Sequence, residues 1–287
     1  MSVLTASWSR LAVEEVAPFV VECRMNRPEK RNAMDLPMFD ELREFFGMVS
    51  ADPRVRVVVL TGAGPAFSGG IDFSSFQAIG TAGSDVGLKA MKIREVGKEW
   101  QTTFTNMERC GKAVIACVHG ACVGIGIELV SAVDIRICSS DSFFALKEID
   151  LGIPADVGGL QRFPKVMANQ SLVRELAFSA RDFPAAEALA SGFVSRVVDG
   201  GQAAVHAAAV ALATTIAEKS PIALLGTKTL LNYTRDHSVD ESLEYALTWN
   251  QGMLQAAGSQ QPMVAYMSKK KAEYEPFPGL APTKSKL

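Results

Sequence analysis

The chain has 287 residues, 48% of them apolar and 21% charged, with 29 basic against 31 acidic side chains and a formal net charge of -2. That length supports a full hydrophobic core and excludes a mini-protein or a disordered tail. The near-neutral balance excludes nucleic-acid binding by massed phosphate neutralisation, since the only basic run, Lys269, Lys270 and Lys271, reads as a solvated face late in a helical pattern.

Hydrophobic periodicity orders the elements. Residues 13–15 and 19–25 read as strands, 36–49 as a helix, and 55–60 as a buried strand feeding a loop over 61–70. A long helix over 86–109 follows, then a strand over 113–118, a helix over 125–133 and a strand over 135–138. This alternation is the pattern of an α/β fold. From residue 202 the signal changes, and 205–219, 222–233, 239–256 and 261–274 all read as helices with no strand between them. The expected organisation is an α/β core over 1–201, a helical C-terminal segment over 202–274 and a flexible tail over 275–287.

The apolar stretch 113–133 has the length of a membrane span, but it contains His119, Gly120, Gly124, Gly126 and Glu128. A carboxylate at mid-span costs about 3 kcal/mol. A strand, a glycine-rich turn and a buried helix are expected instead, and no membrane span. The five cysteines form no CxxC pair, so neither a disulfide framework nor a zinc ribbon is indicated. Cys117, His119 and Cys122 lack a fourth ligand at recognisable spacing and read as small buried residues, with no metal site.

Several chemistries fall away by inspection. The GACVGIG run over 120–126 follows a strand and opens a helix, but Leu129 stands where a dinucleotide fingerprint needs its third glycine. Neither a phosphate-cradling GxxxxGK[ST] nor a GxSxG elbow is present, and His119, His206 and His237 support no catalytic triad. What remains is a set of acids in apolar company: Glu128 inside an apolar helix, and Glu148 and Asp156 flanking a segment interrupted by Gly152 and Pro154. A lone acid in such a helix is ordinarily structural, paired for instance with Arg136. Three acids near a helix N-terminus read differently, because carboxyls in a water-poor pocket have raised pKa values and exchange protons with weak carbon acids. Ile125, three residues before Glu128, offers a first-turn N–H without an intrahelical partner, able to stabilise a developing oxyanion beside that base.

Four segments carry a resemblance that covers nearly the whole chain: AFSGGIDFSSF (66–76), HGACVGIGIELVSAVDIRIC (119–138), FFALKEIDLGIPADVGGLQRFPKV (143–166) and ARDFPAAEALASGFVSRVV (180–198). With them the sequence resembles the enoyl-CoA hydratase/isomerase, or crotonase, superfamily. Within it, KEIDLGIPADVG, NQSLVRELAFSAR and RDHSVDESLEYALTWN look most like the dienoyl-CoA isomerases. The resemblance implies a spiral core of repeated ββα units with a helical C-terminal oligomerisation segment, a homotrimer or homohexamer, an acyl-CoA thioester substrate and no cofactor beyond the CoA of that substrate. It puts the oxyanion-hole N–H groups on Ile71 and Ile125, the proton-transferring acids on Glu148 and Asp156, and a third pocket acid on Glu128. It further implies substrate contacts from Arg31, Ala33, Ser68, Gly69, Gly70, Asp72 and Gly126. The activity implied is conversion of 3,5-dienoyl-CoA to 2,4-dienoyl-CoA in the breakdown of unsaturated fatty acids. Two positions depart from that subgroup: Glu128 replaces an aspartate, and Ile125 replaces a glycine, so a side chain is added at the pocket. Glu128 with Glu148 reproduces the acid pair of the hydratases, and 2-trans-enoyl-CoA hydration is the alternative activity; a non-catalytic acyl-CoA-binding member of the fold is a third reading.

The final residues Ser285, Lys286 and Leu287 match the C-terminal peroxisomal address read by an import receptor, and residues 1–15 lack an apolar signal region. A peroxisomal or related microbody location is expected, with the chain from Tyr274 onward extended and mobile.

Overall fold

The computed structural model describes residues 2–75 and 85–269 together with Tyr274 and Phe277. Strand β1 (Leu11–Ala17) turns back as β2 (Val20–Met25), and the two pair antiparallel from Leu11 opposite Met25 to Ala17 opposite Val20. Helix α1 (Leu36–Ala51) starts where Asp35 accepts from the Met38 N–H and Pro37 fills an early position that needs no donor. Its stripe of Met38, Phe39, Leu42, Phe45, Phe46 and Val49 is buried, as helical spacing of apolar side chains requires. Strand β3 (Val57–Gly62) is buried along its whole length and pairs parallel with β2. Helix α2 (Val86–Arg109) begins at an Asp85 cap, whose side chain accepts from Leu88 N–H.

From there the chain winds as a spiral. Strand β4 (Ala113–Val118) joins β3 in parallel, and the chain steps immediately into β5 (Ala121–Val123) of a second sheet before α3 (Ile125–Ser131) returns it. The next turn repeats the sequence with β6 (Ile135–Ser139) beside β4 and β7 (Phe143–Ala145) beside β5. The preceding turns follow the same path with single bridges, Ser68 to Cys122 and Met34 to Ile71. Short elements complete the unit: α4 (Gly159–Arg162), α5 (Gln170–Ser179), β8 (Phe183–Pro184), α6 (Ala185–Ala190) and β9 (Arg196–Val198). Among the described residues the large sheet runs β1-β2-β3-β4-β6-β9 and the small one β5-β7-β8. The run over 113–133 is therefore β4, β5 and α3, and no single described helix is long and apolar enough to cross a membrane.

Side-chain alternation in the large sheet divides two cores. Val58, Leu60, Val114, Ala116 and Val118 face α1, α2 and α3, whereas Val57, Val59, Ile115 and Cys117 face the other way. That second face is covered by α7 (Gly201–Ala217), whose Val205, Ala209, Ala213 and Ala217 recur every fourth residue. Helix α7 is thus part of the α/β core, and the expected boundary at residue 202 moves to the end of α7, because without its alanine stripe half of the sheet would lie bare.

Helices α8 (Pro221–Thr234), α9 (Val239–Met253) and α10 (Ala257–Met267) follow. The last begins before the expected 261 and ends at Met267 instead of continuing to 274. Lys269 adopts φ 53°, a left-handed conformation just past the helix end; Lys270 and Lys271 are outside the described residues. Tyr274 and Phe277 are tied down, contrary to a chain free from 274 onward. Arg56 Nη2 donates to the Tyr274 carbonyl at 3.0 Å, and Lys112 Nζ to that of Phe277 at 3.2 Å. Ser285, Lys286 and Leu287 lie outside the described residues.

Candidate active site

The loops that carry Ile71 and Ile125 approach each other at glycines. Met34 donates to the Gly70 carbonyl and accepts from the Asp72 N–H. A parallel bridge of this kind uses the groups on either side of residue 71, so the N–H of Ile71 points away from Met34. Gly70 reaches this geometry with φ 104°, and Gly124 with φ 55° ends β5 and opens α3, leaving the Ile125 N–H in a first turn without an intrahelical acceptor. The loops nearly touch: a Cβ on Gly70 would lie 3.4 Å from the Val123 carbonyl oxygen, and one on Gly124 3.9 Å from the Gly70 Cα.

Ile71 and Ile125 both line a cavity of about 600 Å³ whose wall also includes Gly69, Gly70 and Gly124, with Glu128, Glu148 and Asp156 among its polar lining. The three acids arrive from different elements. Glu128 is in the first turn of α3 and 1% exposed; Glu148 opens a single helical turn over Glu148–Leu151; Asp156 lies in the loop leading to α4. Gly159 makes room for Glu128, since a Cβ there would come within 2.8 Å of the Glu128 Cγ. Gly124 does the same for Glu148, with 3.1 Å from its would-be Cβ to Oε1. One oxygen of each glutamate, Oε2, is buried without a hydrogen-bond partner.

Burial dominates the electrostatics. It pushes Glu128 up to about 8, helped by the charges of Glu148 and Asp156 and opposed by the N–H groups of Gly159 and Val157. Glu148 is also raised, by burial first and by Asp156, against N–H donation from its own backbone and that of Lys147. Such a group can take a proton from a weak carbon acid at neutral pH more readily than an exposed carboxylate can.

The sequence profile of the enoyl-CoA hydratase/isomerase family matches residues 16–276. The chain belongs to this family. It is 47% identical over 92% of its length to the mitochondrial delta(3,5)-delta(2,4)-dienoyl-CoA isomerase of Mus musculus, spanning 81% of that protein. To the peroxisomal delta(3,5)-delta(2,4)-dienoyl-CoA isomerase of Arabidopsis thaliana it is 40% identical over 87% of its length, spanning 90% of that protein. Its fold is similar to a crystal structure of enoyl-CoA hydratase from Bacillus anthracis, with a TM-score of 0.84, 26% identity, and coverage of 94% of this chain and 100% of the other.

Against that family background the other expected positions separate into two groups. Gly69, Gly70 and Ile71 line the cavity. Ser68, Asp72 and Gly126 do not. Ser68 is fully buried, its Oγ facing the Asn32 carbonyl at 3.3 Å and the Gly70 N–H at 3.3 Å, so it braces the loop from behind. Asp72 caps the following turn through the Ser74 hydroxyl and N–H and pairs with Arg27 at 2.8 Å, contacts that hold its carboxyl down at about 2. Gly126 allows helix packing, since a Cβ there would sit 3.1 Å from the Ser68 Cβ and 3.3 Å from the Cys122 Sγ. Arg31 and Ala33 lie outside the cavity lining, but Arg31, left-handed at φ 50°, accepts from the Gly69 N–H at 2.7 Å and so flanks the loop.

Arg136 is not the partner of Glu128. It donates to the carbonyls of Phe193, Val133 and Val130, closing the end of α3. Sequence reasoning also missed the far wall of the cavity, which includes Phe73, Lys89, Ile93, Gly97, Trp100, Leu151 and Ile153. The spacing of 89, 93, 97 and 100 along a helix was the available signal.

Proposed function

We propose that this family member is a Δ3,5-Δ2,4-dienoyl-CoA isomerase. The observation that carries the reading is the third carboxyl: Asp156 joins Glu128 and Glu148 on one cavity that Ile71 and Ile125 also line. The names of relatives at 47% and 40% identity point the same way.

In this reading the thioester oxygen of a 3,5-dienoyl-CoA accepts from the two N–H groups. Glu148 removes a proton from C2; the electron pair shifts through C3 to C6 as a dienolate; Asp156 delivers a proton to C6, and the double bonds come to rest at C2 and C4. Each oxyanion donor is worth about 3 kcal/mol to such a charge, and each acid or base a factor of roughly 100 to 10,000. Glu128, raised to about 8, keeps its proton at neutral pH and spares Glu148 a second buried negative charge. No redox or metal cofactor enters, because every step is a proton transfer beside a thioester.

Hydration of a 2-trans-enoyl-CoA is the second reading, favoured by the presence of Glu128 and Glu148 on one wall. It gives Asp156 no task. Recording ultraviolet absorbance as 3,5-dienoyl-CoA becomes conjugated, beside crotonyl-CoA hydration by the same preparation, tests the two together. Faster isomerisation supports the first reading, and hydration that far exceeds it establishes the second.

Self-association as a trimer or a pair of trimers completes the proposal. Its support is the apolar surface on the C-terminal helices, where Leu231, Val239, Leu243, Leu247 and Leu254 are each more than half exposed. Light scattering at about the monomer mass would overturn it. Peroxisomal import through Ser285, Lys286 and Leu287 is proposed from that terminal triplet; the Arabidopsis relative is named peroxisomal and the mouse relative mitochondrial.

A further inference from the structure

Helix α2 contributes a single stripe to the cavity wall: Lys89, Ile93, Gly97 and Trp100. Steps of four, four and three residues keep them on one face. Trp100 is a fixed part of that wall, 6% exposed, its ring stacked on Phe39 with centroids 4.7 Å apart and planes 5° from parallel. Ile93, two turns earlier, is 54% exposed although it borders the same cavity. Between them the stripe is interrupted. Gly97 has no side chain, and a Cβ built on it would meet no heavy atom of the described residues within 4 Å.

Packing among the described residues therefore does not call for glycine at 97, in contrast to Gly159 and Gly226, where a Cβ would run into Glu128 at 2.8 Å and Trp249 at 2.7 Å. Nor does the backbone, which is helical, and a glycine inside a helix weakens it relative to alanine. An uncrowded helix glycine is uninformative by itself, and Gly47 in α1 is another. What distinguishes Gly97 is that its missing side chain enlarges the cavity, as a notch between Ile93 and Trp100. Gln101, next to Trp100, donates through Nε2 to the Asp156 carbonyl at 2.7 Å, which ties this stretch of α2 to the loop that carries Asp156.

We propose that Gly97 determines acyl chain length: the notch it leaves between Trp100 and Ile93 receives the aliphatic tail of a long, unbranched acyl chain beyond C6. The assignment of C6 rests on the isomerase reading above. The tail site itself is measurable without turnover, and the apolar flanks of the notch suit methylene groups that carry no hydrogen-bonding demand.

The test uses the full-length protein and saturated, unreactive butanoyl-, octanoyl- and dodecanoyl-CoA in calorimetric titrations, with wild type, Gly97→Leu and Gly97→Ala. Wild type is expected to bind more tightly with each increase in length, and Gly97→Leu to lower the ratio of dodecanoyl-CoA to butanoyl-CoA affinity by about tenfold or more, with Gly97→Ala between them. Ile93→Phe narrows the notch from an exposed position and should lower the same ratio should Gly97→Leu fail to fold. An unchanged ratio in the folded variants, or a wild type indifferent to chain length, overturns the proposal. A wild type with the expected length dependence that turns over no dienoyl-CoA sinks the isomerase reading while the tail site stands. Active wild type with an unaltered ratio in the variants does the reverse.

Discussion

Gly124 and Glu148 stand so close that a single added methyl group on the glycine would lie 3.1 Å from the carboxylate Oε1. The same glycine opens α3 at φ 55° and so sets the first turn that carries the Ile125 N–H. One residue thus joins the start of α3 to the position of the Glu148 carboxyl. Gly124→Ala should disturb both at once, through strain at positive φ of about 1 kcal/mol or more and through displacement of Glu148. The expected result is a loss of kcat of about a hundredfold or greater with the protein still folded. Steady-state rates on 3,5-dienoyl-CoA, beside a melting curve, check it; a variant of ordinary stability and wild-type kcat would refute the geometry.

Glu128 makes the protein less stable as pH rises. Its folded-state pKa of about 8 exceeds the ordinary 4.5, so between those values the folded state holds a proton that the unfolded state has released. The stability it contributes is fully present below about 4.5 and is lost as pH climbs through 8. Glu128→Gln removes the titration and should be more stable than wild type by a few kcal/mol (~2 to 5) near pH 8, with the difference shrinking towards pH 5. Urea unfolding at intervals of pH measures both curves, and parallel curves would be inconsistent with a buried, proton-holding Glu128.

Much of the frame was legible because it is periodic. Helix α2 begins at Val86 and ends at Arg109 as expected, and β4 occupies Ala113–Val118 as expected, since both have long apolar patterns with clear punctuation. Strands β5, β7, β8 and β9 were not legible. Each has three residues or fewer, too short for alternation to register, and each exists only because a neighbouring turn of the spiral supplies its hydrogen bonds. The acids Glu128, Glu148 and Asp156 could be singled out as charges in apolar company, whereas Trp100 and Gly97 belong to the cavity solely because α2 packs across it. Ser68, Asp72 and Gly126 sit in the right segments but turn their backs on the cavity, a distinction that backbone direction decides and spacing does not.

Glu108, 7% exposed near the end of α2, joins two arginines from different elements: Arg162 Nη2 at 3.2 Å, and Arg235, which also donates to it. Burial would raise this carboxyl, but the two guanidinium groups more than compensate and hold it below its ordinary range. Removing it leaves cations facing each other in a partly dry site, so Glu108→Ala should cost about 3 kcal/mol. Because the folded-state pKa is depressed, the stabilisation is present above the ordinary carboxylate value and is lost as pH falls through the folded one. Chemical denaturation near pH 7 and near pH 4 reads both the cost and its decline; a loss under about 0.5 kcal/mol at pH 7 would mean that the cluster behaves as an exposed pair.

The carbonyls of Tyr274 and Phe277 are acceptors for Arg56 and Lys112, two cations that are 6% and 5% exposed. Ending the chain at residue 273 withdraws both acceptors and should lower stability by about 1 to 3 kcal/mol. Removing only Ser285, Lys286 and Leu287 should leave stability unchanged and disperse a fluorescent fusion from punctate organelles into the cytosol. Equal melting temperatures for the chain ended at 273 and the full chain would show that the tie contributes nothing, and punctate staining without the last three residues would show that the address is read elsewhere.

The division of labour between Glu148 and Asp156 is open to one direct measurement, made in deuterium oxide with 3,5-dienoyl-CoA and read by mass spectrometry and ultraviolet absorbance. Wild type should place deuterium at C6 of the conjugated product. Asp156→Asn should still exchange the C2 proton of its substrate while forming conjugated product more slowly by a factor of roughly 100 or more, and Glu148→Gln should do neither. Isomerisation by Asp156→Asn at the wild-type rate, with deuterium delivered to C6, would contradict the account.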